Sequence, residues 1–254
     1  MFEVTADLAL LLILAAFVAG FVDAIAGGGG LITVPALLLA GANPVQALAT
    51  NKLQGTFGAA TAAVSYARAG QVKLRHQARM AVVAGLSGAA GAMVAHLIPA
   101  EVLRIIMPVI LVAVALFFAL KPGLSDHDRA QRLAPGVFTF TAVPLIAAYD
   151  GFFGPGTGSF FMLGFVMLAG YGVLKATAHT KLLNFASNFG SLMVFVFSGA
   201  IWWAVGLAMA LAQIGGAYVG ARLALRIGAR LIKPLLVVTS TAMAARLIWQ
   251  VWQG

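Results

Sequence analysis

The amino-acid sequence predicts an all-α polytopic membrane protein, built as an inverted duplication of about five helical segments. Hydrophobic residues make up 62% of the 254 positions and charged residues only 9%, which excludes an ordinary soluble domain. The chain also matches itself when it is shifted so that Lys52 falls on Lys181. Finally, its basic residues collect in alternate loops, as expected for loops on the cytoplasmic side of a membrane.

Apolar runs that are broken by glycine, proline or charge divide the chain into ten candidate segments. These are 8–26, 30–42, 45–67, 77–98, 102–120, 136–153, 157–171, 174–198, 203–225 and 234–252. Most approach the roughly 20 residues that a spanning helix needs. The second and seventh are short and follow glycine-rich loops. They are therefore predicted to be broken or partly re-entrant helices, which leaves 8 to 10 transmembrane segments.

An internal repeat accounts for most of these segments. The shift that places Lys52 on Lys181 also places Gly27 on Gly156 and Gly29 on Gly158, within the two glycine clusters. Alanine and glycine matches are common in such a composition, so the lysines and the glycine clusters carry most of the weight. The repeat divides the chain into a first transmembrane half, residues 1–125, and a second half, residues 126–254, within one integrated membrane domain.

The loop charges indicate that the two copies have opposite orientations. The loop from Arg68 to Arg79 is basic, whereas the matching stretch 197–208 has no charge and carries Trp202 and Trp203, as an outer interface would. The next loop reverses the bias, because Arg222 to Lys233 is basic in the second copy only. Five crossings per copy, with both termini outside, satisfy this pattern. The rival is an eight-helix count in which both short segments fail to cross and the copies become parallel.

Two lysines inside apolar segments are the leading candidates for a functional site. A bare ammonium in hydrocarbon is expensive, so lysines at equivalent positions indicate a central anion site. Asn184 and Asn188 share a helical face with Lys181 by their spacing of three and four. The alternative is that each lysine snorkels to an interface. The neighbouring polar candidates are Thr50, Asn51, Gln54, His179, Thr180, Asn184 and Asn188.

The glycine clusters and the acidic residues before them are further candidates. Amides at the start of a helix can bind an anion, although such glycines also serve helix packing or a bend. The anion-binding candidates are Gly28, Gly29, Gly30, Gly156, Thr157 and Gly158. Asp23 and Asp150 lie just before the clusters and are candidates to carry a coupling proton, to neutralise a lysine or to cap a half-helix. His179 is a candidate proton relay or a structural hydrogen-bonding residue.

Other classes of function are excluded by what the sequence lacks. There is no cysteine, no metal-ligand spacing around the histidines and no nucleotide-binding loop, so we expect neither a metal nor a cofactor. The net charge of +9 comes from basic residues in loops, so nucleic-acid binding is not expected. The expected partners are a small anion, the lipid bilayer and protons as candidate coupling ions. A homo-oligomer is left open.

Three stretches carry a family resemblance that covers nearly the whole chain. Gly20–Gly30 with Pro35, the element Thr50-Asn51-Lys52, and Tyr149–Phe160 resemble the TauE/SafE family of sulfite and sulfonate exporters, and the last stretch resembles its YfcA-like branch. The resemblance implies a carrier in the bacterial inner membrane that is built from a duplicated unit, has about eight helices in all, and exports small sulfur-containing or organic anions. In the second copy, His179-Thr180-Lys181 replaces the first element, so the half-sites are chemically unequal.

The leading functional hypothesis is a secondary transporter that exports a small anion by alternating access at a central lysine-containing site. Sulfite, an organosulfonate and a related carboxylate are the candidate substrates. An anion channel is the nearest alternative. A membrane scaffold and an intramembrane enzyme are alternatives from other classes. We predict that the chain is not an enzyme, because no convergent acid, base or metal-ligand pair is visible in the sequence.

Overall fold

The computed structural model describes residues 6–119, 128, 130–228 and 230, and within them the chain is helical without any strand. The helices are α1 (Ala6–Ala26), α2 (Gly30–Leu39), α3 (Pro44–Arg68), α4 (Ala78–Leu97), α5 (Ala100–Ala119), α6 (Pro135–Phe140), α7 (Ala142–Phe152), α8 (Thr157–Met167), α9 (Val173–Ser198) and α10 (Trp203–Ile227). A short 3-10 turn, Leu74–Gln77, precedes α4. The predicted all-α class is confirmed.

The helices follow the predicted segments closely, with one interruption. The sixth segment is divided at Thr141, between α6 and α7. Pro144 lies in the first turn of α7 and has no N–H to donate to the preceding turn, which explains the break. The predicted segment 234–252 and the boundary between residues 125 and 126 lie outside the described residues.

The outer surface of the helix bundle is apolar, as a lipid environment requires. Leu86, Leu145 and Leu211 are each at least 70% exposed, and Phe197 is 90% exposed. In the described part of the chain, α1, the stretch Leu74–Leu97 and α10 are long and apolar enough to cross a membrane on their own. The equally long α3 and α9 are less hydropathic because they carry the buried polar residues of the interior.

Both short helices turn back along the helix before them. A groove that contains Leu39, at the end of α2, also contains Leu8 and Leu11 of α1, so α2 runs antiparallel to α1. In the second half, the rings of Tyr149 and Phe160 lie 5.3 Å apart, and α8 runs back along α7 in the same way. With 10 and 11 residues, α2 and α8 are about 15 Å long, half of a bilayer core of roughly 30 Å.

The two halves run in opposite directions through this bundle. The amide of Trp202, just after α9, donates to Thr50 near the start of α3, and farther along α3 Gly55 faces Asn188, so α3 and α9 are antiparallel. The inversion that the loop charges indicate is therefore present in the opposite directions of these two long helices.

Equivalent glycines have equivalent backbones in the two halves. Three pairs related by the shift that superposes the two lysines have positive φ angles in both members: 27 and 156 (81° and 86°), 41 and 170 (92° and 77°), and 70 and 199 (74° and 69°). L-residues with a side chain rarely adopt such angles. These glycines turn the chain at corresponding points, so the sequence matches at these positions reflect backbone requirements and not composition alone.

Candidate functional site: a charged cavity between two helical hairpins

The tips of the two hairpins meet in the interior of the bundle. A Cβ atom on Gly27 would lie 2.3 Å from the amide nitrogen of Ser159, so no larger residue fits between the tips. The hydroxyl of Ser159 donates to the carbonyl oxygen of Ala26 across the same contact, at 2.8 Å. The first turns of α2 and α8 therefore begin side by side, deep in the protein.

Lys52 forms an ion pair with an aspartate of the opposite half. Its ammonium nitrogen lies 2.7 Å from Oδ1 of Asp150 and also donates to the backbone carbonyl of that residue. The second carboxylate oxygen of Asp150 accepts a hydrogen bond from the hydroxyl of Ser187. The two charged side chains are 0% and 2% exposed, so the pair is shielded from water.

Lys181 makes the reciprocal pair with Asp23 of the first half, but more loosely. Its nitrogen donates to the backbone carbonyl of Asp23 and lies 3.6 Å from Oδ2. The carboxylate of Asp23 also accepts from the backbone amide of Gly29 at 3.3 Å and from Asn184 at 3.4 Å. The Asp23 side chain is 12% exposed, and it lines the central cavity.

The ammonium group of each lysine contacts the C-terminal end of a helix from the other half, which explains why it is tolerated in the interior. Asp23 lies in the last turn of α1 and Asp150 in the last turn of α7, where the helix dipole is negative. Each lysine therefore compensates both a carboxylate and a helix C-terminus. The pairs also cross between the halves, so each hairpin is held by the long helix of the other copy.

A small polar cavity of about 20 Å³ lies between the hairpin tips and these pairs. It is lined by Asp23, Gly28, Gly29, Gly30, Asn51, Gly55, Asp150, Gly154, Gly156, Thr157, Gly158, Asn184, Asn188 and Gln213. A water needs roughly 10–15 Å³ measured in this way, so the space holds one water and no larger solute.

The structure brings most of the predicted site residues together. All six predicted residues of the glycine loops line the cavity, as do both aspartates and the three asparagines, Asn51, Asn184 and Asn188. The two lysines lie behind the aspartates and are fully buried, and neither reaches an interface. Asn51 is held by hydrogen bonds from Thr33, at 2.6 Å, and from Gln54, at 3.1 Å.

The remaining predicted residues lie outside the cavity lining. The hydroxyl of Thr50 accepts from the amide of Trp202, and Thr180 is buried beside Lys181. The ring of His179 packs between Phe165 and Tyr171, at centroid distances of 5.6 and 4.9 Å. Its surroundings are those of a packed aromatic cluster and not of a proton path. Among the described residues, no group of His, Asp or Glu could hold a metal ion.

Two polar side chains of the site were missed by the sequence reasoning. Gln213 of α10 is 4% exposed and lines the cavity, and its side-chain oxygen has no hydrogen-bond partner in the described part of the chain. Gly20 and Gly58 make room for it, since a Cβ at either position would lie within 2.8 Å of its Cγ. Ser187 was not among the candidates, yet its hydroxyl donates to the carboxylate of Asp150. A lone glutamine in an apolar helix is the signal that could have found Gln213.

Known proteins with similar sequences are membrane transporters. The family model described as "Sulfite exporter TauE/SafE" matches residues 12–247. A Sinorhizobium protein named "Probable membrane transporter protein ORF9" is 58% identical over 93% of this chain and 91% of its own length. "Probable membrane transporter protein YfcA" of Escherichia coli K12 is 42% identical over 98% and 93%, and a Haemophilus influenzae "Probable membrane transporter protein" is 41% identical over 97% of each chain. No solved structure matches the chain.

Proposed function

The chain belongs to the TauE/SafE family of membrane transporters, and we propose that it carries a small anion across a bacterial inner membrane by alternating access at the central cavity. The observation that carries this proposal is the pair of crossed lysine–aspartate contacts at the touching hairpin tips. Each contact joins a hairpin of one half to a long helix of the other. Opening the cavity toward either side therefore has to separate these contacts.

The residues around the cavity supply what a small oxyanion requires. The first turns of α2 and α8 present backbone amides at the positive ends of two helices. The side-chain amides of Asn184 and Asn188 donate to Asp23 and to Asn184 in this conformation, and an entering anion would compete for them. The carboxylates of Asp23 and Asp150 occupy the places on the lysines that a substrate anion would take. An entering anion would compete with them, so we propose that binding opens one pair. Sulfite, named in the family description, an organosulfonate and a carboxylate share this chemistry.

Charge balance supports a proton as the coupling ion. Lys52, Lys181, Asp23 and Asp150 sum to zero in a site that is shielded from water, so a bound monoanion adds one uncompensated negative charge. Protonation of an aspartate would release its lysine and restore neutrality. Asp23 is the better candidate because it faces the cavity and its contact with Lys181 is the longer one. We therefore propose that anion and proton move together.

Flux measurements in proteoliposomes test the transport proposal. A panel of sulfite, a sulfonate and a carboxylate is compared for the unaltered chain and for Lys181→Met/Asp23→Asn, which removes the pair without leaving a lone buried charge. We expect saturable flux of one anion that is lost in the variant while the protein still inserts and folds. Flux that does not saturate would favour a channel. No flux of any anion, or flux indifferent to the substitutions, would refute the central-lysine site.

A further measurement tests the proton. Flux of the transported anion should be electroneutral, so that clamping the membrane potential with potassium and valinomycin leaves its rate unchanged while a pH gradient drives it. In Asp23→Asn, flux that persists should no longer follow the pH gradient. A current that grows with the clamped potential would contradict proton coupling and leave the anion-carrier proposal standing.

A further inference from the structure

A second cation-lined groove lies at one end of the bundle, away from the central cavity. It has a volume of about 560 Å³ and runs between the last turns of α3 and α10. Its lining residues are Ala60, Thr61, Val64, Ser65, Arg68, Ala69, Tyr218, Arg222 and Leu225. None of these residues lines the central cavity. The groove lies at the basic end of both long helices, the end that the loop charges predict to be cytoplasmic.

Two guanidinium groups face this groove. Within the described ranges, neither Arg68 nor Arg222 forms an ion pair with a carboxylate. Arg222 packs over the ring of Tyr218, with its guanidinium carbon 4.3 Å from the ring centroid. Arginine presents a planar fork of donors that fits the oxygens of a phosphate. The polar part of the groove is therefore suited to a phosphate group.

The other wall of the groove is apolar and open to the surroundings of the bundle. Val64 is 42% exposed and Tyr218 is 43% exposed, and Leu225 continues the same wall. An apolar surface beside two cations matches a molecule that has a hydrocarbon chain and an anionic head. A free anion would use the arginines but would leave the apolar wall uncovered.

The duplication supplies an internal comparison for this groove. The repeat alignment places Arg68 on Phe197 and Arg222 on Met93, which lie at the opposite end of the bundle and are 90% and 52% exposed. The equivalent surface therefore carries apolar side chains where this groove carries cations. Packing between the long helices does not require the arginines, because the second copy is built without them. Their presence is specific to the end that faces the basic loops.

We propose that this groove binds an acidic phospholipid, with its phosphate on Arg68 and Arg222 and an acyl chain on Val64, Tyr218 and Leu225. The acidic lipids of the inner leaflet would thus be held at a defined place between the two halves of the protein. The site is independent of the transported anion, since it shares no residue with the central cavity.

Lipid binding to the purified full-length chain tests the proposal. Native mass spectra would count the bound phosphatidylglycerol molecules. Two competitors would be compared: phosphatidylcholine with the same acyl chains, and inorganic phosphate. We expect one retained phosphatidylglycerol that phosphatidylcholine does not replace and that inorganic phosphate does not displace at equal concentration. Arg68→Gln/Arg222→Gln should lose it by tenfold or more in affinity. Displacement by inorganic phosphate would show a free-anion site and overturn the lipid assignment.

A matched control separates this site from general attraction to the basic loop. Arg75→Gln/Arg79→Gln removes the same charge near the same end and should keep the lipid. Equal loss in the two double variants would refute a defined site. Met93→Arg/Phe197→Arg places the two cations on the equivalent surface of the other half and should add a second bound phosphatidylglycerol. If Arg68→Gln/Arg222→Gln fails to fold, the second lipid bound by Met93→Arg/Phe197→Arg still tests the proposed site. The absence of that second lipid would overturn the proposal that the two arginines hold the phosphate.

Discussion

Removing Lys52, and then also its partner Asp150, should separate the effect of this ion pair on stability from its effect on transport. In Lys52→Met, the carboxylate of Asp150 is left buried, and among the described residues only the hydroxyl of Ser187 remains as a side-chain donor. At the 2.7 Å separation and an effective dielectric constant of about 20, the lost Coulomb attraction is about 6 kcal/mol. Desolvation offsets part of that attraction. Loss of one partner of a buried pair therefore costs about 3–5 kcal/mol overall.

The crossed pairing dictates which second substitution compensates. Asp150→Asn should restore most of the stability lost in Lys52→Met, because it removes the unpaired charge, whereas Asp23→Asn should not, since Asp23 pairs with Lys181. In thermal unfolding of purified protein, Lys52→Met should lower the midpoint on the order of 10 °C. Lys52→Met/Asp150→Asn should recover most of that loss while anion flux stays absent.

The comparison of the two double variants decides whether the pairing is as described. If Lys52→Met/Asp23→Asn recovers as much stability as Lys52→Met/Asp150→Asn, the crossed arrangement is wrong. If neither variant recovers any, Lys52 acts through packing and not through its charge. The corresponding loss in Lys181→Met should be smaller, since its 3.6 Å contact and the 12% exposure of Asp23 weaken the interaction.

Three further expectations follow from local geometry. Gly27→Ala should abolish flux and lower stability, because a Cβ would clash with Ser159 at a positive φ, whereas Gly136→Ala, which meets nothing within 4 Å, should behave as the unaltered protein in the same assays. Gln213→Leu should preserve the unfolding midpoint, because the lost side-chain oxygen has no partner among the described residues. The same substitution should change the KM or the substrate preference of flux. If both stay unchanged, Gln213 is not part of the site. Asn43→Ala should cost about 1 kcal/mol by deleting the capping box with Gln46 at the start of α3, and a loss of flux at full stability would contradict this purely structural role.

Much of the fold was predictable because its determinants are local. Apolar length and helix breakers located the helices, and the repeated lysine and glycine positions exposed the duplication. Loop charges also indicated the inversion. The prediction that the second and seventh segments form short, broken helices needed only their length, about half of a bilayer core. The rival expectation of parallel copies does not fit the long helices, because α3 and α9 run antiparallel.

The partners of the site residues could not be predicted in the same way. Asp23 and Asp150 were candidates to neutralise a lysine, but only packing shows that each pairs with the lysine of the other half. The sequence places His179 two residues before Lys181, which made it a candidate relay, yet its ring points into an aromatic cluster. Proximity along a helix does not fix which face a side chain shares. Gln213 was missed for the opposite reason, because it lies far from every motif.

The differences between the two halves explain why the two ion pairs are unequal. The position equivalent to Ser187 is Gly58, so only the Lys52 pair has a hydroxyl to hold its carboxylate, and the space at Gly58 is filled by Gln213. Gln213 itself corresponds to Ala84, so this amide is supplied once. The lysines, the helix C-termini that they contact and the glycine turns recur in both copies. We expect transport to need them whether the cavity opens toward one side of the membrane or toward the other. Polar groups present in one copy only are where selectivity among anions is expected to arise.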